Sequence, residues 1–175
     1  MQHSRFGALP DAGGTRFRIW APRAQSLDLL LDGRAPLAME AGGDGTFERY
    51  VEGVSAGARY RYRLDGEDTF PDYASRYQPE GVHGPSEVTD PTAYRWEDTG
   101  WEGVPQERLV FYELHLGTFS PEGTFAGAEA RLDYLRNLGV TAVELMPVAD
   151  FPGRWNWGYD NAALYAPSRA YGRPD

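Results

Sequence analysis

The segment from residue 109 to residue 147 constrains the fold most. Leu109–His115 (LVFYELH) reads as a buried-type strand. Thr124–Leu138 carries Phe125, Ala128, Leu132, Leu135 and Leu138 near a 3.6-residue period, which is one apolar helix stripe. Thr124 suits an N-cap, and Gly139 sits at the expected C′ position. Thr141–Pro147 (TAVELMP) reads as a second strand. Strand, helix and strand in this order make a right-handed crossover between parallel strands. Parallel strands need cover on both faces, and two of them cannot supply it. The chain therefore reads as the N-terminal piece of a larger enzyme. Residues 109–175 should expose strand edges and an apolar stripe, and the chain should associate or leave this part mobile.

The first hundred residues carry a different period. Thr15–Ala21 alternates, with Phe17 and Ile19 on one face and Arg16, Arg18 and Trp20 on the other. Ser26–Leu31 is a second strand closed by Asp32-Gly33, and Ala35–Glu40 can pair back on it. Thr46–Glu52 alternates Phe47, Arg49 and Val51; Ala58–Leu64 sets Tyr60, Tyr62 and Leu64 against three arginines. Five short strands with frequent turn signals predict a β-sandwich. We expect it over residues 1–70, extending at most to about 95. Residues 71–107 are expected to be an irregular connection that packs Trp96 and Trp101 onto its neighbours, and residues 108–175 begin the α/β part.

Composition narrows the partners. The net charge of -9 disfavours nucleic acid and anionic membranes and leaves neutral, hydroxyl-rich ligands open. All 17 basic residues are arginine, without clustering, which suits codon bias better than function. There is no cysteine, so thiolate chemistry is absent. Met1–Ala8 has no apolar stretch of signal type, and no run approaches the roughly 20 residues of a membrane span. A soluble, cytoplasmic protein is expected. His3, His83 and His115 lack zinc-ligand spacing, and Gly13-Gly14 precedes a strand rather than a helix, so neither metal nor cofactor is expected.

Two groups could carry chemistry. Glu113 shares a strand face with His115, and Glu144 lies on the next strand. An acid/base pair for glycoside hydrolysis is conceivable there, but mid-strand positions favour a buried cluster bonded to itself or to His115. The loop after Pro147 is better placed, with Asp150, Trp155, Trp157, Tyr159 and Asp160 in succession. Sugars offer flat C–H faces to aromatic rings and hydroxyls to carboxylates. Tyr159, Asp160 and Trp157 are the candidate substrate-binding residues.

At these residues the chain resembles a known family. FRIWAP (17–22) and YRYRLDG (60–66) resemble the early-set, immunoglobulin-like N-terminal module of alpha-amylase superfamily enzymes. YELHLGTF (112–119), the strand ending at Pro147 and WGYD (157–160) resemble the first two strands of that superfamily's TIM (β/α)8 barrel. PDYASR (71–76), QPEGVHGPSEVTD (78–90) and PEGTF (121–125) are similar to the malto-oligosyltrehalose trehalohydrolase family. The resemblance implies a retaining glycosidase that hydrolyses the α-1,4 bond joining a maltooligosaccharide to its terminal trehalose. Its partners would be that α-1,4-glucan substrate and the remainder of its own barrel. It implies Tyr159 as the ring under the sugar at the cleavage site, flanked by Trp157 and Asp160. The family's catalytic carboxylates follow later strands, so no residue here is a catalytic candidate and the fragment alone should be inactive. Glycogen branching enzymes share the module, the YELHLG strand and the second strand and remain an alternative, as does a standalone carbohydrate-binding module.

Overall fold

A computed structural model describes residues 6–174. His3 and most of the segment read for a signal lie outside the described residues. The N-terminal part is all-β. Its strands are β1 (Gly7–Pro10), β2 (Gly14–Trp20), β3 (Leu27–Leu31), β4 (Leu37–Ala38), β5 (Glu40–Ala41), β6 (Thr46–Glu52), β7 (Arg59–Leu64), β8 (Thr69–Phe70) and β9 (Ser86–Glu87). They form two antiparallel sheets, β1-β2-β6-β5 and β4-β3-β7-β8, with β9 also paired to β7. The stretch expected to pair back on β3 does so over Leu37–Ala38, then crosses to pair with β6 as β5.

The alternation in sequence becomes burial in space. Phe17 and Ile19 of β2 meet Leu27, Leu29, Leu31, Tyr60 and Tyr62 of the facing sheet in one core. Phe17 lies edge-on to Tyr60 with ring centroids 4.9 Å apart, a favoured aromatic geometry. Trp20, on the opposite face of β2, is 52% exposed.

Residues 71–107 are not uniform. From Asp72 to Thr89 most residues are buried, whereas residues 91–103 are exposed throughout. The buried half is tied to the sandwich by the β9 pairing with β7, by the Val88 N–H on the Ala58 carbonyl, and by the Asp72 carboxylate. Tyr60 and Tyr62 donate their hydroxyls to Asp72 Oδ2 at 2.9 and 3.4 Å, and the Ala74 N–H donates to Oδ1 at 2.8 Å. Burial pushes the Asp72 carboxyl up to about 6, against the pull of those donors. Trp96 and Trp101 do not pack onto neighbours as expected; they are 63% and 72% exposed, and Trp96 contacts Tyr94 edge-on.

A short 3-10 turn at Gln106–Arg108 leads to β10 (Phe111–Leu114), α1 (Leu116–Phe119), α2 (Phe125–Glu129), α3 (Leu132–Leu138), β11 (Ala142–Leu145), β12 (Ala149–Asp150) and β13 (Ala163–Pro167). β10 and β11 pair in parallel, and β12 and β13 form an antiparallel pair. The expected helix is two helices. Thr124 does cap the first, accepting from the Gly127 N–H, and Gly139 closes the second in the left-handed region. Between them Arg131 leaves helical geometry and its N–H reaches back only to the Ala128 carbonyl. The break lets Ala128 and Leu135 share one core with Leu114, Leu116, Phe151 and Tyr171. Leu132 and Leu138 are thereby turned outward, at 48% and 61% exposed.

Glu113 and Glu144 face each other in register, as parallel strands allow, but both are exposed. The buried polar cluster expected of them does not form, because the covered side of the strand pair is the one that carries Leu114, and Glu113 and Glu144 lie on the other. Val110, Phe111, Val143 and Leu145 are exposed with them. Val143 and Leu145 share one side of the strand pair with Leu132, and Phe111 lies on the other, so apolar surface is left open on both sides. Sedimentation velocity should therefore show the average mass rising with concentration, and a Leu132→Glu, Leu145→Glu double variant should suppress the rise. A monodisperse monomer with well-protected amides throughout β10 and β11 would contradict this expectation.

Among the described residues no helix is long and apolar enough to cross a membrane.

Candidate functional site

The loop between β12 and β13 carries the aromatic residues. Ala162 N–H closes it onto the Asp150 carbonyl at 2.9 Å. Inside it Asn156 organises a turn: its Oδ1 accepts the Gly158 N–H, and its Nδ2 donates to Asp160 Oδ2 at 3.3 Å. This is the local competition of an Asx side chain with regular backbone pairing. Gly158 has φ +100°, and a Cβ there would lie 2.9 Å from the Pro147 carbonyl oxygen. Only glycine supplies both that backbone conformation and that approach.

Beside this turn lies a cleft of about 670 Å³, lined by His115, Thr118, Met146, Trp155, Asn156, Trp157 and Asp160. The size is that of a small-molecule site. Two of the three residues expected from sequence, Trp157 and Asp160, line it. Tyr159, the third, lies between them in the chain, is 68% exposed and is not among the lining residues. Trp155 and Trp157 are 76% and 82% exposed, and the Arg154 guanidinium sits 5.0 Å from the Trp155 ring centroid. One Asp160 carboxylate oxygen is held by Asn156, which orients the group beside exposed rings.

Asp150 stands apart from its expected place in the loop. It is fully buried, paired with Arg169 at 3.5 Å, and its carboxyl is pushed up by burial. It supports the base of the hairpin and does not line the cleft. His115 was expected to bond Glu113 or Glu144; its Nε2 lies 2.7 Å from the Asn156 carbonyl oxygen instead. The strand ends one residue earlier than the period-two pattern implied, so His115 turns into the cleft as the N-cap residue of α1. Met146, Thr118 and Asn156 were also missed. For Asn156 a signal existed, since Asn two residues before Gly is a turn former.

The sandwich side meets this region directly. Val82 packs with Ala163 and Ala166, and Glu87 pairs with Arg173 at 2.8 Å.

Comparison with known proteins adds the family context. The carbohydrate-binding module 48 family (isoamylase N-terminal domain) matches residues 5–93. The malto-oligosyltrehalose trehalohydrolase of Saccharolobus solfataricus is 47% identical over 169 residues, covering 97% of this chain and 30% of that protein. The 1,4-alpha-glucan branching enzyme of Salinibacter ruber is 35% identical over 201 residues, covering 99% of this chain and 32% of that protein. A crystal structure described as an alpha amylase from Salmonella typhimurium superposes with a TM-score of 0.93 at 49% identity, covering 98% of this chain and 30% of that one. A pullulanase of Paenibacillus barengoltzii, crystallised with maltohexaose and alpha-cyclodextrin, superposes with a TM-score of 0.79 at 27% identity, covering 98% of this chain and 33% of that one. The chain thus spans under a third of the length of the curated relatives it matches.

Proposed function

The chain belongs to the carbohydrate-binding module 48 family, and from that premise we propose that it is the N-terminal part of an α-glucan-active hydrolase that releases trehalose from maltooligosyltrehalose. The observation that carries this is the 47% identity over nearly the whole chain to a trehalohydrolase, against 35% to a branching enzyme. On this reading the sandwich, of immunoglobulin-like type, is the docking module. The parallel pair β10/β11 is the start of a (β/α)8 barrel, with the module boundary near residue 90, where the buried segment gives way to exposed chain. The exposed apolar surface then belongs against the later staves of the same barrel. The location would be cytoplasmic.

The cleft fits part of a sugar site. Trp157 offers an exposed ring, Asp160 a carboxylate oriented for hydroxyls, and Tyr159 between them would stack beneath the sugar at the scissile bond. Neutral, polyhydroxylated ligand and an anionic protein are compatible, since no phosphate or carboxylate need be attracted. The reaction would be retaining hydrolysis through a glycosyl-enzyme intermediate, with both carboxylates supplied outside these residues. His115, Trp157 and Asp160 would shape the site without forming bonds to carbon.

The test uses the full-length gene product. Incubated with maltooligosyltrehalose it should release free trehalose, and Tyr159→Ala should lower kcat/KM by about tenfold or more through lost stacking in the transition state. An unchanged kcat/KM would remove Tyr159 from the site.

A further inference from the structure

We propose that His115 is a positioning residue for the aromatic loop, fixing Asn156 and, through it, the turn that bears Trp157, Tyr159 and Asp160. Its importance for sugar binding rests on the functional reading above; the positioning itself stands on geometry.

His115 follows β10 directly and precedes α1 in extended conformation. It sits at the junction of β10 and α1, while its partner lies 41 residues further along in the hairpin loop. A carbonyl oxygen only accepts, so the 2.7 Å contact to Asn156 requires the proton on Nε2. The other ring nitrogen, Nδ1, faces the side where the Thr118 hydroxyl lies 3.5 Å away. The ring plane is set by a second contact, edge-on to Tyr171 with centroids 6.1 Å apart and planes at 90°.

The space for this arrangement is itself built into the backbone. A Cβ at residue 117 would lie 3.0 Å from His115 Cε1 and 3.1 Å from Tyr171 Cε1. A bare residue at Gly117 leaves both rings room. On the loop side, Asn156 is held by its backbone oxygen while its side chain holds Gly158 and Asp160. One imidazole thus anchors a turn whose own hydrogen bonds are local. Removing the anchor frees the turn as a unit, and the strand pair, bonded through its own ladder, is left intact.

The experiment measures amide hydrogen exchange on the 175-residue chain without sugar. His115→Ala should speed exchange at Gly158 by about tenfold, as the loss of one good hydrogen bond would. Amides of Ala142 and Met146, which donate to the Val110 and Leu114 carbonyls, should keep their rates. His115→Gln, which retains an N–H donor, should recover much of the protection, and Gly117→Ala, which crowds the ring without removing it, should loosen the same turn. Nitrogen-15 spectra of the native imidazole should place the proton on Nε2. Unchanged exchange in His115→Ala, a native Nδ1–H tautomer, or equal loss at Ala142 and Met146 in both His115 variants would each overturn the proposal. Maltotetraose titration of the same samples separates the two claims: a turn loosened in His115→Ala, with no sugar response in the native chain, supports the His115 role and counts against the glycan site.

Discussion

Replacing Phe17 with alanine is expected to lower the stability of the sandwich by about 3–5 kcal/mol, the range for large aromatic truncations in a packed core. Phe17 is fully buried between the two sheets, and its ring meets Tyr60 edge-on. The void left by deletion would open at the centre of the larger core cluster, where neighbours from both sheets are already fixed by their ladders. Trp20 is the internal control, three residues along the same strand and on the other face. It is half-exposed, and its indole N–H reaches the Asp44 carbonyl at 3.3 Å on the surface. Trp20→Ala should cost about 1 kcal/mol or less in this isolated chain. Urea midpoints of the two variants would show the contrast. Equal losses would mean that the two faces of β2 have been assigned wrongly.

The second large effect is a pH dependence centred on Asp72. Its carboxyl is raised from 3.8 to about 6 in the folded chain because burial penalises the anion. The folded state therefore holds the proton more tightly than the unfolded state. The sign follows from linkage: the contribution is fully present below about pH 4 and is lost as pH rises through about 6. At 1.36 kcal/mol per unit the loss is about 3 kcal/mol. Asp72→Asn cannot ionise, so its stability should lack this slope. Its amide can still accept from the tyrosine hydroxyls but offers the Ala74 N–H no second oxygen, which lowers the baseline by about 1–2 kcal/mol. The native chain's advantage over Asp72→Asn should therefore shrink or reverse between pH 4 and pH 7. A difference that stays constant across that interval would show that Asp72 does not titrate there.

How far the sequence reveals these features depends on what kind of force makes them. Phe17 and Ile19 against Arg16, Arg18 and Trp20 were legible because one face is apolar and the period is two. β1, β8 and β9 were not, because strands of two to four residues carry too few alternations to stand out from turns. The burial of residues 72–89 was hidden for a different reason. It rests on a two-residue strand, β9, on backbone bonds at Val88 and on a carboxylate bonded to Tyr60 and Tyr62, and such scattered contacts leave no periodic trace. The helix stripe was visible, but its interruption at Arg131 was not, since the shape of the core that Ala128 and Leu135 must both reach is a tertiary property.

The same distinction holds in the cleft. Trp157 and Asp160 could be chosen by residue chemistry in a loop following a strand. His115 could be noticed as a strand residue, but its partner is a backbone carbonyl in a distant hairpin, and no side-chain pattern encodes that. Asp150 shows the reverse error. Its acid suggested a ligand, yet complete burial and Arg169 make it part of the hairpin's base.

The most direct measurement is product analysis of the full-length gene product supplied in parallel with maltooligosyltrehalose and amylose. Free trehalose from the first substrate, without new branch points in the second, is the expected result. Branch points in amylose with no trehalose released would assign the chain to a glucan-transferring relative and contradict the hydrolase proposed here.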